Sequence, residues 1–223
     1  MREFSVPASF AVEENDNIVS SVYSYERDHP DRVIFQRLVG GVWTDVTCAQ
    51  AAEQIRSTAL GLIAEGVNAG DRVAIVSATR YEWVILDYAI LSVGALTVLI
   101  YDTSSAEQVR WVLEDSGAVL VVTETDAHAQ LVKELSAELP SLRKILRLES
   151  AGGPGALDEL ADSNHKVFRI CRHFHGSDPG PLETFRLGRA NAPGRSLTCP
   201  FACHQGVQRL AGQGWPKAIA KRP

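Results

Sequence analysis

The sequence predicts an α/β fold: a mostly parallel sheet with helices on both faces, an N-terminal β-hairpin and a disordered C-terminal tail. Three observations carry this. Short β-branched apolar runs alternate with helical-period stretches between residues 33 and 148. Several helical stretches open on a Ser/Thr-x-x-Glu/Gln box, the sequence signature of a helix start. Two strand candidates, Leu96–Tyr101 and Val119–Thr123, are apolar without alternation, as strands covered on both faces are.

Taken in order, Val33–Arg37 and Val42–Val46 flank Gly40-Gly41 and read as a hairpin with a glycine turn. Thr47-x-x-Gln50 opens a helix whose Ala51, Ile55, Ala59, Leu62 and Ile63 recur at helical spacing up to Gly66. A turn at Asn68–Asp71 leads into the strand Arg72–Val76, and Thr79-x-x-Glu82 opens a helix through Leu91, stopped near Gly94. Leu96–Tyr101 is the next strand. Ser104-x-x-Glu107 and Ser105-x-x-Gln108 both suit the start of a helix to Asp115, ended by Ser116-Gly117. Val119–Thr123 is strand, Ala127–Leu139 helix before Pro140, and Lys144–Leu148 the last strand. Ser150–Gly155 reads as a linker and Ala156–Ala161 as a short stub. Strands alternating with helices at this spacing imply βαβ units with right-handed crossovers.

Charge divides the chain near Ser163. Residues 1–162 hold 12 Lys+Arg against 25 Asp+Glu, whereas 163–223 hold 10 against only Asp178 and Glu183. Two units follow: an α/β domain at 1–162 and a basic Cys/His/Pro-rich tail at 163–223. Met1–Val12 has no basic start followed by an apolar run, so no secretory signal is expected. Trp83–Tyr101 is long and apolar, but Gly94 splits it into a helical and a β-branched half, which argues against a membrane span. Four unevenly placed cysteines do not make a disulfide framework for 223 residues. The expected compartment is the cytoplasm, with no nucleic-acid partner.

From Asn68 to Asp115 the pattern becomes specific. Gly70-Asp71-Arg72-Val73-Ala74-Ile75, Arg80-x-Glu82-Trp83, Asp87-x-Ala89, Gly94-Ala95 and Tyr101-x-Thr103-Ser104-Ser105-x-Glu107-Gln108 occur in order. This resembles the opening region of adenylate-forming acyl-CoA synthetases, in particular the long-chain fatty acid–CoA ligases, and the likeness covers roughly Phe10 to Ala161. Leu99 departs from it, because the family usually has proline before the Ile-Tyr pair. The resemblance implies a two-step ligase: fatty acid and ATP give acyl-adenylate and pyrophosphate, and the CoA thiolate then forms the thioester. It also implies ATP, Mg²⁺ and CoA as cofactors of a full-length relative, with fatty acid, ATP and CoA as its partners.

The family's phosphate cradle is a Thr/Ser/Gly-rich loop ending Pro-Lys-Gly, which would fall a few tens of residues past Leu160. Ser163–Pro223 does not contain it; Gly188-Arg189 and Gly194-Arg195-Ser196 are the nearest pieces, and Lys217 and Lys221 have no matching context. The chain therefore reads as the first third of such a ligase, inactive alone, needing no cofactor and free to associate through an uncovered sheet edge. The alternative is a non-catalytic interaction module that pairs with itself or with a full-length ligase. No catalytic residue is assigned. By resemblance, Tyr101, Asp102 and Thr103 lie on a loop near the CoA pantetheine path; the competing structural reading is that Tyr101 packs and Ser104 caps a helix.

Three readings compete for the tail. Cys171, His173, His175, Cys199, Cys203 and His204 suffice for a tetrahedral zinc site, but their spacings match no usual knuckle. Val167, Ile170, Cys171 and Phe174 with Lys166, Arg169 and Arg172 opposite form a short basic amphipathic pattern. The composition favours the third: 17 of the chain's 22 basic residues are Arg, and acids are nearly absent from the tail. Out-of-frame translation of GC-rich DNA gives this composition. On that reading the tail is disordered and binds no metal.

Overall fold

Gly40 and Gly41 have φ of +57° and +83°, the two positive values that a type I′ turn requires. They join β1 (Val33–Val39) to β2 (Val42–Thr47) in an antiparallel hairpin, with Leu38 opposite Trp43 and Val39 opposite Val42. The computed structural model describes residues 17–148 and 154–163. The zinc, amphipathic-helix and disorder readings of the tail all fall after Ser163, outside the described residues.

The alternation continues as the sequence predicts: α2 (Cys48–Ala64), β3 (Arg72–Val76), α3 (Tyr81–Ser92), β4 (Leu96–Ile100), α4 (Ala106–Ser116), β5 (Leu120–Thr123), α5 (Asp126–Leu135) and β6 (Lys144–Arg147). The last four strands form one parallel sheet in the order β4-β3-β5-β6. Because strand side chains alternate, each strand feeds two cores. Val73, Ile75, Leu120, Val122 and Leu146 face a core closed by α2 and α3, which contribute Ile55, Leu62, Ile85 and Ile90. Ala74, Val76, Ile100 and Val121 face the opposite core with Val109 and Leu113 of α4 and Val132 of α5. The α/β fold with helices on both faces is thus the observed one.

Local signals hold where the residues making them also receive them. Thr47 and Gln50 form a reciprocal capping box at α2, and Ser105 with Gln108 does the same at α4. Gly117 ends α4 at φ +60°, the left-handed cap that glycine fills without a Cβ penalty. Three expectations need correction. Thr79 does not cap α3: its N-cap is Arg80, which makes no side-chain capping bond, because the preceding loop is held from β5 instead. The α5 helix stops at Leu135 and tightens into a 3₁₀ turn at Ser136–Glu138 before Pro140. And Leu96–Ile100 is not covered on both faces.

The β4 strand lies at the sheet edge, where Leu96 is 40% and Leu99 53% exposed. Leu96 N–H donates to Asp71 C=O, and Ile100 C=O accepts from Ser77. The alternate residues Thr97 and Leu99 therefore aim their backbone groups at the free edge. A proline at position 99 would cost no ladder hydrogen bond, so the departure noted at Leu99 leaves the pairing of this strand unaffected. The β5 strand is central and wholly buried, as the sequence predicts.

Two helices escape the sequence reading. In α1 (Ile18–Asp28) no residue is buried. It is held from α2: the Arg56 guanidinium lies 2.7 and 3.0 Å from the Glu26 carboxylate and 5.6 Å from the centre of the Tyr23 ring. Burial pulls the Arg56 pKa down, but the hydrogen bond and charge of Glu26 leave it above its ordinary value. The expected stub is a helix, α6, over 156–163, with Ala156 and Leu160 buried against α2. Ser163 Oγ donates to Glu65 Oε1 at 2.7 Å, and Lys144 Nζ meets the other Glu65 oxygen at 2.7 Å, so α6 is tied to both α2 and β6.

Candidate functional site

At the carboxyl end of an open parallel sheet the strands spread into loops, and ligands of α/β folds sit there. Three loops converge at that end: 77–80 after β3, 101–105 after β4 and 124–125 after β5. Backbone bonds knit them, Ser77 N–H to Ile100 C=O at 3.3 Å and Glu124 N–H to Val76 C=O at 2.9 Å.

Side chains finish the rim. Glu124 accepts from the Ala78 N–H at 2.9 Å and lies 3.4 Å from Arg80 Nη1. Arg80 Nε donates to Glu82 at 2.7 Å, and Glu82 also receives Arg37 from β1 at 3.4 Å. Arg37 stacks 4.8 Å above the Tyr81 ring, whose edge meets Phe35, and the Tyr81 hydroxyl donates to Gln54. Burial raises the Tyr81 pKa, so the phenol stays protonated at neutral pH. Each arginine here is engaged by a carboxylate, and the hairpin, α3 and β5 are joined into one network. Such partly buried, charge-assisted bonds are worth about 1.5–3 kcal/mol each.

The structure places Tyr101, Asp102 and Thr103 together on the 101–105 loop. Tyr101 is 81% exposed and does not pack. Thr103 is exposed and Asp102 half-buried. Ser105, not Ser104, caps α4, so both parts of the competing structural reading are corrected. Ser104 N–H closes a turn onto Tyr101 C=O at 3.0 Å, and Ser105 N–H bonds the Gln108 side chain at 2.9 Å. The loop is anchored from α5, where His128 Nε2 lies 3.1 Å from the Asp102 carbonyl. Neither Glu124 nor His128 was singled out by the sequence. Their position just past an apolar strand is the available signal, but their partners lie tens of residues away.

The rim offers exposed hydroxyls and a fixed turn, one wall for a ligand. A cavity of about 200 Å³ lies at the opposite end of β5, lined by Leu113, Gly117, Ala118, Leu139, Pro140 and Leu142, and has no part in this site. Among the described residues no group of three or more His, Cys, Asp or Glu side chains is placed to hold a metal.

Comparison with known proteins adds the following. The profile of the family described as "AMP-binding enzyme" matches residues 24–181. Long-chain-fatty-acid–CoA ligase FadD15 of Mycobacterium bovis is 63% identical over 167 residues, 75% of this chain and 28% of that protein. Long-chain-fatty-acid–CoA ligase ACSBG2 of Xenopus laevis is 30% identical over 138 residues, 62% of this chain and 18% of its own. In fold, the chain is similar to a long-chain-fatty-acid-CoA ligase, FadD1, from Archaeoglobus fulgidus (TM-score 0.59, 16% identity, 72% of this chain and 32% of that one). It is likewise similar to a Mycobacterium tuberculosis fatty acyl CoA synthetase (TM-score 0.54, 24% identity, 67% and 28%). The chain thus spans less than a third of the length of the curated relatives named here.

Proposed function

The chain belongs to the family of AMP-binding enzymes, and from that premise we propose that residues 1–162 are the N-terminal α/β part of a long-chain fatty acid–CoA ligase. In that reaction the fatty acid carboxylate attacks the α-phosphate of ATP, giving acyl-adenylate and releasing pyrophosphate. The CoA thiolate then attacks the acyl carbon, forming the thioester and releasing AMP. The observation that carries this reading is the 63% identity to a ligase of that name. The described residues do not fit ATP or magnesium: the rim arginines are held by Glu82 and Glu124, and no metal donor set is present among them. Phosphate chemistry therefore falls to other parts of a ligase of this family. The cytoplasm is the proposed compartment, and no described helix is long and apolar enough to cross a bilayer.

For this segment the proposal assigns Tyr101, Asp102 and Thr103 to the CoA side, supported by the exposure of Tyr101 and Thr103 at a strand's carboxyl end. The test is a chimera in which residues 1–163 replace the matching part of a whole ligase of the family. Acyl-CoA formation is expected to persist. Tyr101→Ala in the chimera is expected to raise KM for CoA about tenfold, a loss of roughly 1.4 kcal/mol of binding, with the adenylation rate unchanged. A folded but inactive chimera would sink the ligase reading. An unchanged KM would sink the loop assignment alone.

A second reading, association with another copy, is favoured by one observation. Among the described residues, Thr97 and Leu99 present unpaired backbone groups on an edge flanked by exposed Leu96 and Tyr101, and such edges template further pairing. Light scattering of the 223-residue chain is expected to show a mass that rises with concentration. Leu99→Pro is expected to lower that mass without lowering the unfolding temperature, because the Leu99 N–H makes no bond among the described residues. A concentration-independent monomer would dispose of this reading.

A further inference from the structure

We infer that His128 is a positioning residue: it holds the 101–105 loop in its ligand-facing shape by donating an Nε2 proton to the Asp102 carbonyl. The functional weight of this rests on the reading of that loop as CoA-facing; the geometry does not.

A carbonyl oxygen only accepts, so the contact of 3.1 Å between His128 Nε2 and Asp102 O requires the proton on Nε2. In the neutral ring a proton on Nε2 leaves a lone pair on Nδ1. Nδ1 is buried and has no hydrogen-bond partner among the described residues. A buried nitrogen left unmatched is uncommon in folded proteins and calls for a physical reason. The His128 backbone N–H is committed to the Thr125 hydroxyl at the start of α5, which fixes the residue's main chain, and the ring's far nitrogen reaches the loop. Turning the ring to satisfy Nδ1 would release Asp102, so the unmatched atom is the consequence of holding the loop.

The loop needs the anchor. Its own bonds are short-range: Ser104 N–H to Tyr101 C=O, the reciprocal capping box between Ser105 and Gln108, and the helical bond from Val109 N–H to Ser105 C=O. All lie on the β4–α4 side. The β4 strand is at the sheet edge, so no neighbouring strand or loop supports Tyr101 from outside among the described residues. The bond from His128 is the one described side-chain link between this loop and the central β5–α5 junction. The same junction holds the 77–80 loop through Glu124, so a single rigid turn sets the position of both neighbours at the sheet's carboxyl end.

The test uses the full 223-residue chain and two substitutions. His128→Gln keeps an amide donor near the Nε2 position; His128→Leu removes it. Amide exchange at Ser104 and Ser105 is expected to quicken about five- to tenfold in His128→Leu, the value of one hydrogen bond, and to return to within about twofold of the parent in His128→Gln. Exchange in β3 and β5 is expected to stay unchanged. Independently, ring ¹⁵N shifts of the unaltered protein are expected to show the Nε2–H tautomer, a measurement that stands even where His128→Leu fails to fold. An Nδ1–H tautomer, equal acceleration in both variants, or acceleration spread over the whole sheet would each overturn the inference. Loss of the CoA effect in the chimera with the exchange pattern intact would instead overturn the CoA reading and leave His128 as the loop's anchor.

Discussion

Incubated with ATP, magnesium and a long-chain fatty acid, the 223-residue chain is expected to exchange pyrophosphate into ATP no faster than buffer does. The transferring phosphoryl group carries charge that must be met by donors fixed before the reaction begins, and losing one such donor costs on the order of 10²–10³ in rate. The chain lacks the whole Thr/Ser/Gly-rich loop and its lysine; Gly188-Arg189 and Gly194-Arg195-Ser196 have neither the glycine run nor the lysine. Nor can the described rim substitute. Arg80 lies against Glu82 and Glu124, and Arg37 against Glu82, so recruiting either for phosphate would break an ion pair with a half-buried carboxylate. Radiolabelled pyrophosphate exchange measures this directly. A signal above the no-protein blank that saturates with ATP and depends on fatty acid would show that the chain holds its own phosphate site.

Most of the sheet could be read from residues alone, because each strand records its own surroundings. Val121 and Val122 of β5 point to opposite cores, and both are apolar because both cores are dry. Capping was equally readable at Thr47 and Ser105, where donor and acceptor lie three residues apart. What escaped depends on contacts distant in sequence. The composition of Leu96–Ile100 suits a central strand, yet strand order places it at the edge, a property of topology that a five-residue run does not encode. The α1 helix buries nothing fully and is attached by a cation on α2, so its own pattern stays weak. At the candidate site, Tyr101–Thr103 was reached through resemblance and strand position. His128 and Glu124 were not, because a bond to a backbone carbonyl or amide leaves no trace in the partner's residue type.

The α6 helix shows the same limit and gives the sharpest mutational expectation. Gly61→Ala is expected to destabilise the fold by about 2–4 kcal/mol, although alanine is the better helix former by about 1 kcal/mol. A Cβ on residue 61 would lie 2.1 Å from the Leu160 carbonyl oxygen, 2.5 Å from its carbon and 2.7 Å from its Cα. These are backbone atoms, so no rotamer change relieves the overlap and 156–163 must lift from α2. Lifting would expose Ala156 and Leu160, now buried at 0% and 1%, and break the bond between Ser163 and Glu65. Overpacking alone costs typically 1–3 kcal/mol, and full exposure of a leucine about 1.5–3. Thermal unfolding is expected to fall by roughly 5–15 °C, with faster amide exchange at Glu159, whose N–H now bonds Gly155 C=O. Leu160→Ala should be destabilising by itself and should not rescue Gly61→Ala, because it leaves the clashing carbonyl in place. Rescue by Leu160→Ala would show that the close approach is made by the side chain, and an unchanged melting temperature in Gly61→Ala would show that α6 is not seated on α2 at all.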